Sequence, residues 1–450
     1  MVKDMKNNIK IKLPDKVAFI IHKLEENGHE AFAVGGCVRD TILGRHPNDW
    51  DITTSARPEQ VKEIFNRTID TGIAHGTVTV MLNHEGFEVT TYRVDGEYED
   101  ARHPKEVKFT PDLKEDLKRR DFTINAMAYN DSRGLVDEFG GADDIKNGII
   151  KCVGDACERF NEDALRILRA VRFAAQLDFD ICPDTREAVE KLAGNLTKIS
   201  KERIQTELDK LLMSSHPEKF KMAYELGITK WIMPEFDKMM ETEQNSVYHI
   251  YNVGDHTLKV MENIEKDHYL RWAALLHDVG KPECATTDDE GKSHFYGHGE
   301  VGEKIAYDIL KGLKFDNKTI KTVTRLVKFH DCQVRLTEPG VRKSIVNVGA
   351  DIYPYLLKLK RADLSGKSEY SINETTKVLD KLEEIYDIVI NRGDCLSISD
   401  MAVSGKDLIA CGIERGETVG KGLQLLFEEV LNDPDMNNRD KLMDIIKSFT

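Results

Sequence analysis

VGGCVRDTILGRHPNDWDITTS (34–55) is the stretch that decides how this chain folds and what it does. AFAV (31–34) is a short apolar strand that runs into Gly35 and Gly36, and CVRDTILG (37–44) reads as a short helix closed by Gly44. WDITT (50–54) then reads as a second strand, with Asp49 and Asp51 flanking one residue at its start. Residues i and i+2 of a strand face the same side, so both carboxylates aim at one spot. Two such groups repel unless a cation lies between them, and Mg²⁺ takes hard oxygen ligands together with phosphate oxygens. The Gly35–Gly36 pair lets backbone N–H groups approach a phosphate, and Arg39, one turn on, reaches the same group. A DxD pair alone is common on solvated turns. A glycine pair, an arginine and a DxD within residues 35–51 are far more specific.

Outward from this stretch, the first part of the chain mixes strands and helices. Residues 15–29 read as a helix that Asp15 can cap and Gly28 ends, and ARPEQVKEIF (56–65) as another with an early proline. GTVTVML (76–82) and FEVTTYR (87–93) alternate and are rich in β-branched residues, as sheet strands are. Beyond about residue 155 helical periodicity takes over and no further strand is expected. RFNEDALRILRAVRFAAQL (159–177) reads as one helix, followed by TREAVEKLAG (185–194), KERIQTELDKLLMS (201–214), a helical region over 250–365, and amphipathic helices over 372–390 and 415–448. The expected class is α+β, with a sheet-and-helix head over 1–150, a helical neck over 151–240, a helical body over 250–370 and a helical tail over 371–450.

The bulk numbers bound the function without naming it. A chain of 450 residues carries two or three domains with real cores. Its net charge of −15 points away from a general nucleic-acid binder, so any such contact uses local patches such as Lys114–Arg120 and Arg159–Arg172. The eight cysteines form no CxxC pair, which favours reduced thiols. No apolar run approaches the roughly 20 residues of a membrane span, and MVKDMKNNIKIKLPDK (1–16) lacks an apolar signal core, so a cytoplasmic protein is expected.

Three further constellations carry chemistry. In EDLKRRDFTINAM (115–127), Arg119 and Arg120 are adjacent guanidinium groups suited to a triphosphate, and Asp121 is an acceptor for a ribose hydroxyl. Asn125 shares its face if the stretch is helical. On 159–177, Asp163, Arg166 and Arg169 recur every three residues, with Arg172 continuing that side. Asp163 offers acceptors and Arg166 donors. Cytosine and adenine both present an exocyclic NH₂ beside a ring-nitrogen acceptor, whereas uracil and guanine present a carbonyl and an N–H. The pair therefore accepts C and A and leaves U and G with unmatched polar groups, at about 1–3 kcal/mol each. The third constellation is DHTLKVME (255–262), RWAALLHDVGKP (271–282), HFYGHGEVG (294–302), VKFHD (327–331) and RADLSG (361–366), where imidazoles and carboxylates together suit a divalent transition metal.

GGxxRDxxxG followed by DxD resembles the head of the nucleotidyltransferases related to DNA polymerase beta, and its form resembles class II CCA-adding enzymes and bacterial poly(A) polymerases. The resemblance spans about residues 30–212 with every motif in order. It implies that Asp49 and Asp51 bind the catalytic Mg²⁺ and that Gly36, Arg39 and Arg120 hold an incoming triphosphate. Asp163 and Arg166 would read the base, with Arg169 and Arg172 as further nucleotide contacts. The implied partners are CTP, ATP and the 3′ acceptor end of tRNA. Glu88 is the candidate for the third carboxylate this superfamily takes from a neighbouring strand. DGEYEDARHPKEVKF (95–109) resembles the flexible loop needed for the final A, KERIQTELDKLL (201–212) the last shared motif with Glu207 in a structural role, and GGADDIKNGIIKCVGDACERF (140–160) the hinge between head and neck. The order H…HD…D resembles HD-domain phosphohydrolases, which implies His256, His277, Asp278 and Asp363 as metal ligands, with His298 and His330 serving a second metal or a substrate phosphate. Alternatives left open are a poly(A) polymerase, a CC-only or A-only enzyme, and an HD phosphohydrolase with an RNA-binding head.

Overall fold

The computed structural model of the chain describes residues 9–96, 107–245 and 250–449. Two compact units divide it, Met1–Pro234 and Glu235–Thr450.

The first unit is organised by a seven-stranded mixed sheet. Its strands are β1 (Ala31–Val34), β2 (Ile52–Thr54), β3 (Thr68–Gly72), β4 (Thr77–Leu82), β5 (Glu85–Thr91), β8 (Met127–Asn130) and β9 (Gly134–Asp137), in the order β3-β4-β5-β2-β1-β8-β9. β6 (Arg93–Asp95) and β7 (Val107–Phe109) form a separate antiparallel pair. β1 and β8 are buried throughout, as expected of strands at the sheet centre covered on both faces. β2 is antiparallel to β1 and parallel to β5, so one strand links the glycine turn to the β4–β5 hairpin.

Helix α1 (Asp15–Glu26) packs Val17, Ile20, Ile21 and Leu24 into the core. Asp15 is its first residue, not its cap, and Gly28 ends it at φ +84°. Helix α2 (Gly36–Ile42) follows the glycine turn, α3 (Pro58–Ile64) follows β2, α4 (Leu113–Lys118) follows β7 and α5 (Gly141–Asn147) follows β9.

Three expectations are corrected here. The strand starts at Ile52, so Asp49 and Asp51 lie in the extended chain just before it, where the carbonyl of Asp51 accepts Val34 N–H at 2.9 Å. The segment after Arg120 is not a continuing α-helix: Thr123–Asn125 is a single 3₁₀ turn. The stretch 159–177 is two helices, α6 (Ala156–Glu162) and α7 (Leu165–Leu177), broken at Asp163 (φ −143°, ψ 102°). The break has a local cause: Asp163 Oδ1 accepts Leu165 N–H at 3.0 Å, so the side chain competes with helix propagation, as aspartate does at helix starts.

Strands also occur after residue 150, contrary to expectation, because pairs too short to show a period escape the pattern. β10 (Ile149–Ile150) pairs in parallel with β11 (Asp180–Ile181), and β12 (Thr286–Thr287) with β13 (Ser293–His294). Helix α8 (Pro183–Leu192) and helix α9 (Lys201–Leu212) follow, with α9 packed along α7.

Among its described residues the second unit has no strand apart from that small hairpin. The helices Val253–Asn263, His268–Leu276, Asn317–Phe329 and Tyr353–Asp363 pack around Trp272, Leu275, Val323 and Leu359. Its C-terminal part, including the helices Glu417–Asn432 and Arg439–Phe449, buries a separate cluster around Leu408, Leu426, Phe427, Leu442 and Ile446. Among the described residues no helix is long and apolar enough to cross a membrane.

Candidate active site and metal centre

The glycine turn opens the first site. Gly35 has φ +83°, and a Cβ there would lie 2.9 Å from Arg120 Nη1, so only glycine fits. Its N–H donates to Met127 O at 3.0 Å, which seats the turn on β8. A cavity of about 710 Å³ lies beyond it. Its walls include Gly35, Gly36, Arg39, Asp49, Asp51, Arg120, Asp121, Asn125, Asp163, Arg166, Arg169 and Arg172, so all twelve residues expected here share one pocket. Glu88 does not line it; that side chain is exposed on β5, opposite Thr79. Of the loop 95–109, residues 97–106 lie outside the described residues.

The electrostatics suit an anionic substrate held by metal. Burial raises the Asp51 carboxyl above its usual range, Arg120 opposes this, and the neighbouring Asp49 raises it further. Paired acids in this state are what a divalent cation relieves. In the same lining, Arg39, Arg169 and Arg172 surround the Phe173 ring with guanidinium carbons 5.1, 5.3 and 4.1 Å from its centre. Arg39 Nη1 donates to Asn125 Oδ1 at 2.6 Å. Burial, and next the positive charge of Arg169, bring Arg172 down to about 10, while Glu207, 3.1 Å away, opposes this. So Glu207 anchors an arginine, in keeping with the structural role expected of it.

Asp121 is fully occupied by the protein. Oδ1 accepts Phe122 N–H at 2.8 Å and Asn125 Nδ2 at 3.1 Å, and Oδ2 accepts Arg169 Nε at 2.8 Å. Burial alone would raise this carboxyl, but Arg169 and Asn125 outweigh it and hold it well below the usual range. Arg166 is likewise braced: it donates to Glu162 Oε2 at 2.6 Å, to Arg159 O at 3.0 Å and to Arg119 O at 2.9 Å.

Several residues in the pocket or braced against its walls escaped sequence reasoning. Arg203, on α9, contacts Asp163 Oδ2 at 2.7 Å. Phe173 is the ring under three arginines. Asp116, fully buried, accepts Thr53 Oγ1 at 3.1 Å and Arg119 Nε at 2.9 Å, and lies 3.6 Å from Arg120 Nη2. It thereby fixes the arginine pair to β2. The one available signal was the acid three and four residues ahead of two arginines, a spacing that places them on one helical face.

The second site lies in the second unit. Four histidines direct Nδ1 at backbone carbonyls: His256 at Gly366 (3.1 Å), His277 at Ala274 (2.7 Å), His298 at Phe295 (2.8 Å) and His330 at Val327 (2.7 Å). These bonds leave all four Nε2 atoms facing inward, as in metal-ligating imidazoles. There Nε2 of His256 and His277 stand 3.3 Å apart, and those of His298 and His330 3.2 Å apart. Asp278 joins the two pairs, with Oδ2 3.3 Å from His277 Nε2 and Oδ1 3.3 Å from His330 Nε2. His256, His277 and Asp278 form one possible ligand group, and Asp278, His298 and His330 a second. Asp363 Oδ1 lies 2.9 Å from His256 Nε2, so all four residues expected as ligands meet. Asp278 is completely buried, which alone would raise its carboxyl; His277 and Lys281 hold it well below the usual range. Gly366 makes the packing possible, since a Cβ there would fall 2.3 Å from His256 Nδ1. Asp278, His298, His330 and Asp363 line a cavity of about 450 Å³ with Lys281, Lys292 and Lys367.

Known proteins match the regions that carry the two sites. Residues 31–151 match the Poly A polymerase head domain, 178–240 the probable RNA and SrmB-binding site of polymerase A, and 247–365 the HD domain. The chain is 48% identical over 448 residues to the CCA-adding enzyme of Ligilactobacillus salivarius, covering 97% of this chain and 98% of that one. It is 44% identical over 431 residues to the CCA-adding enzyme of Pediococcus pentosaceus, covering 96% of each. The crystal structure of the Bacillus stearothermophilus CCA-adding enzyme in complex with CTP is 29% identical, with a TM-score of 0.74 and 98% of each chain covered. The Thermotoga maritima CCA-adding enzyme complexed with tRNA, 21% identical with a TM-score of 0.56 over 97% of this chain and 96% of that one, shares the fold. With the head, the pocket and the HD cluster all in place, the chain belongs to the family of CCA-adding enzymes and is a tRNA nucleotidyltransferase.

Proposed function

We propose that one pocket carries out both nucleotide choice and nucleotide transfer, adding C, C and A in turn to the tRNA 3′ end from CTP and ATP with release of pyrophosphate. The observation that carries this is the shared cavity, in which Asp49 and Asp51 face the same space as Asp163 and Arg166. Asp49 and Asp51 are the residues that would hold Mg²⁺. When bound, such ions lower the pKa of an attacking hydroxyl and neutralise charge on the leaving pyrophosphate.

The remaining steps belong to the chain's own groups. Gly35 and Gly36 let the backbone approach the triphosphate, and Arg39 and Arg120 neutralise it. Arg120 Nε is buried without a hydrogen-bond partner among the described residues, a donor ready for an anionic oxygen. Asp121 and Asn125 serve the nucleotide through the arginines they hold, Arg169 and Arg39. Arg166, held by Glu162 and two backbone carbonyls, lines the cavity with Asp163, and together they match the Watson–Crick edges of C and A. No template strand is then required.

Replacing both metal carboxylates, D49A/D51A, tests the assignment. The reading requires tRNA extension to disappear while CTP still binds. Extension that survives the double change would place the chemistry elsewhere.

The buried imidazole pairs favour a second activity in the other unit. Two Nε2 lone pairs about 3.2–3.3 Å apart repel one another unless a cation or proton lies between them. His256, His277, Asp278 and Asp363 suit a divalent transition metal, His298 and His330 a second one, and Lys281, Lys292 and Lys367 an anionic ester. The chemistry supported is hydrolysis of a phosphate ester.

A further inference from the structure

Arg203 occupies an odd place for a cation. It is the third residue of α9, in the first turn, where the helix dipole disfavours positive charge. Its side chain is three-quarters buried and turns toward Asp163, with Nη2 2.7 Å from Oδ2. Nη1 is buried and has no hydrogen-bond partner among the described residues. Arg203 lines the cavity with Asp163 and Arg166, yet it reaches them from a different helix.

Asp163 needs such a partner. It sits in the break between α6 and α7, so no helix geometry fixes its side chain. Leu165 N–H holds Oδ1 and Arg203 holds Oδ2. Each oxygen keeps a second acceptor direction for a base.

We infer that Arg203 is a positioning residue that gives Asp163 its selectivity, an inference that rests on the reading of Asp163 and Arg166 as the base-recognising pair. Two fixed anchors make the carboxylate a pure, immobile acceptor. It then accepts the exocyclic amine of cytosine or adenine and opposes the carbonyl oxygen of uracil or guanine. Without the guanidinium the side chain is free to rotate away from that carbonyl. That change admits U where C belongs. Arg203 thus acts on the choice of base and not on the triphosphate, which Arg39 and Arg120 hold.

The test uses the full chain and tRNA ending before CCA, with kcat/KM for CTP and for UTP measured separately. R203A is expected to lower the CTP:UTP ratio by about tenfold or more, with inhibition by inorganic tripolyphosphate unchanged. R203K, which restores a cation without the fork, should recover part of the ratio, and R203Q little of it. D163A should lower the ratio on its own, and adding R203A to D163A should lower it no further. An unchanged ratio in R203A, or an equal loss for CTP and UTP, overturns the proposal. If R203A fails to fold, R203K and R203Q decide, since wild-type ratios in both overturn it equally. D163A with an unchanged ratio would instead defeat the base-recognition reading beneath it.

Discussion

Asp121 Oδ2 accepts Arg169 Nε at 2.8 Å, joining the loop before β8 to the middle of helix α7. One residue of the triphosphate motif thereby ties the sheet to the helix whose arginines line the pocket. Distance between the two halves of the site is set by a buried ion pair, and its loss should be felt in stability before chemistry.

That gives a prediction with a sign in pH. The folded-state pKa of Asp121 is depressed, so its ion pair stabilises the fold above the unfolded carboxylate value of about 4 and loses this as pH falls through the lower folded value. D121N should therefore cost roughly 3–5 kcal/mol at neutral pH, the usual cost of breaking a buried pair. Denaturant unfolding of wild type and D121N, followed from pH 7 downward, should show the gap closing in acid. A gap that stays constant with pH would assign the cost to packing.

The glycine turn makes a second prediction. G35A must place a Cβ 2.9 Å from Arg120 Nη1 at φ +83°, so either Arg120 moves or the turn opens. Strain of this kind costs about 1–3 kcal/mol. KM for CTP should rise at least severalfold, with a smaller fall in thermal midpoint. Unaltered steady-state kinetics would mean that Arg120 does not need its present position.

Asp278 supports a third. It is shared by both histidine pairs, whereas His256 belongs to one. Metal analysis of the purified protein should show D278A emptied of tightly bound transition metal and H256A only partly so, with CCA addition retained by both. Equal metal content in wild type and D278A would remove the metal centre.

How much of this could be read from residue order follows the range of each interaction. Asp49, Asp51, Gly35 and Arg39 were legible because their chemistry is packed into residues 35–51. The same holds for His277–Asp278, and for Arg119–Arg120 beside Asp121. The break at Asp163 was hidden because ALRILRAV is strongly helix-forming, and one side-chain bond to Leu165 N–H overrides that propensity. MAYN (127–130) was missed as a strand because a fully buried four-residue strand has no alternation to detect. Arg203, 40 residues from Asp163, and Phe173, beneath Arg39, became visible only through tertiary packing.

The central claim is that metal carboxylates and a base-reading pair act in one pocket, and a single incorporation assay tests it. tRNA ending before CCA is incubated with each labelled nucleoside triphosphate alone and with all four together. The predicted result is C, C and A in that order, then arrest, with U and G excluded at every step. Long A tails, arrest after CC, or ready incorporation of U or G would contradict it.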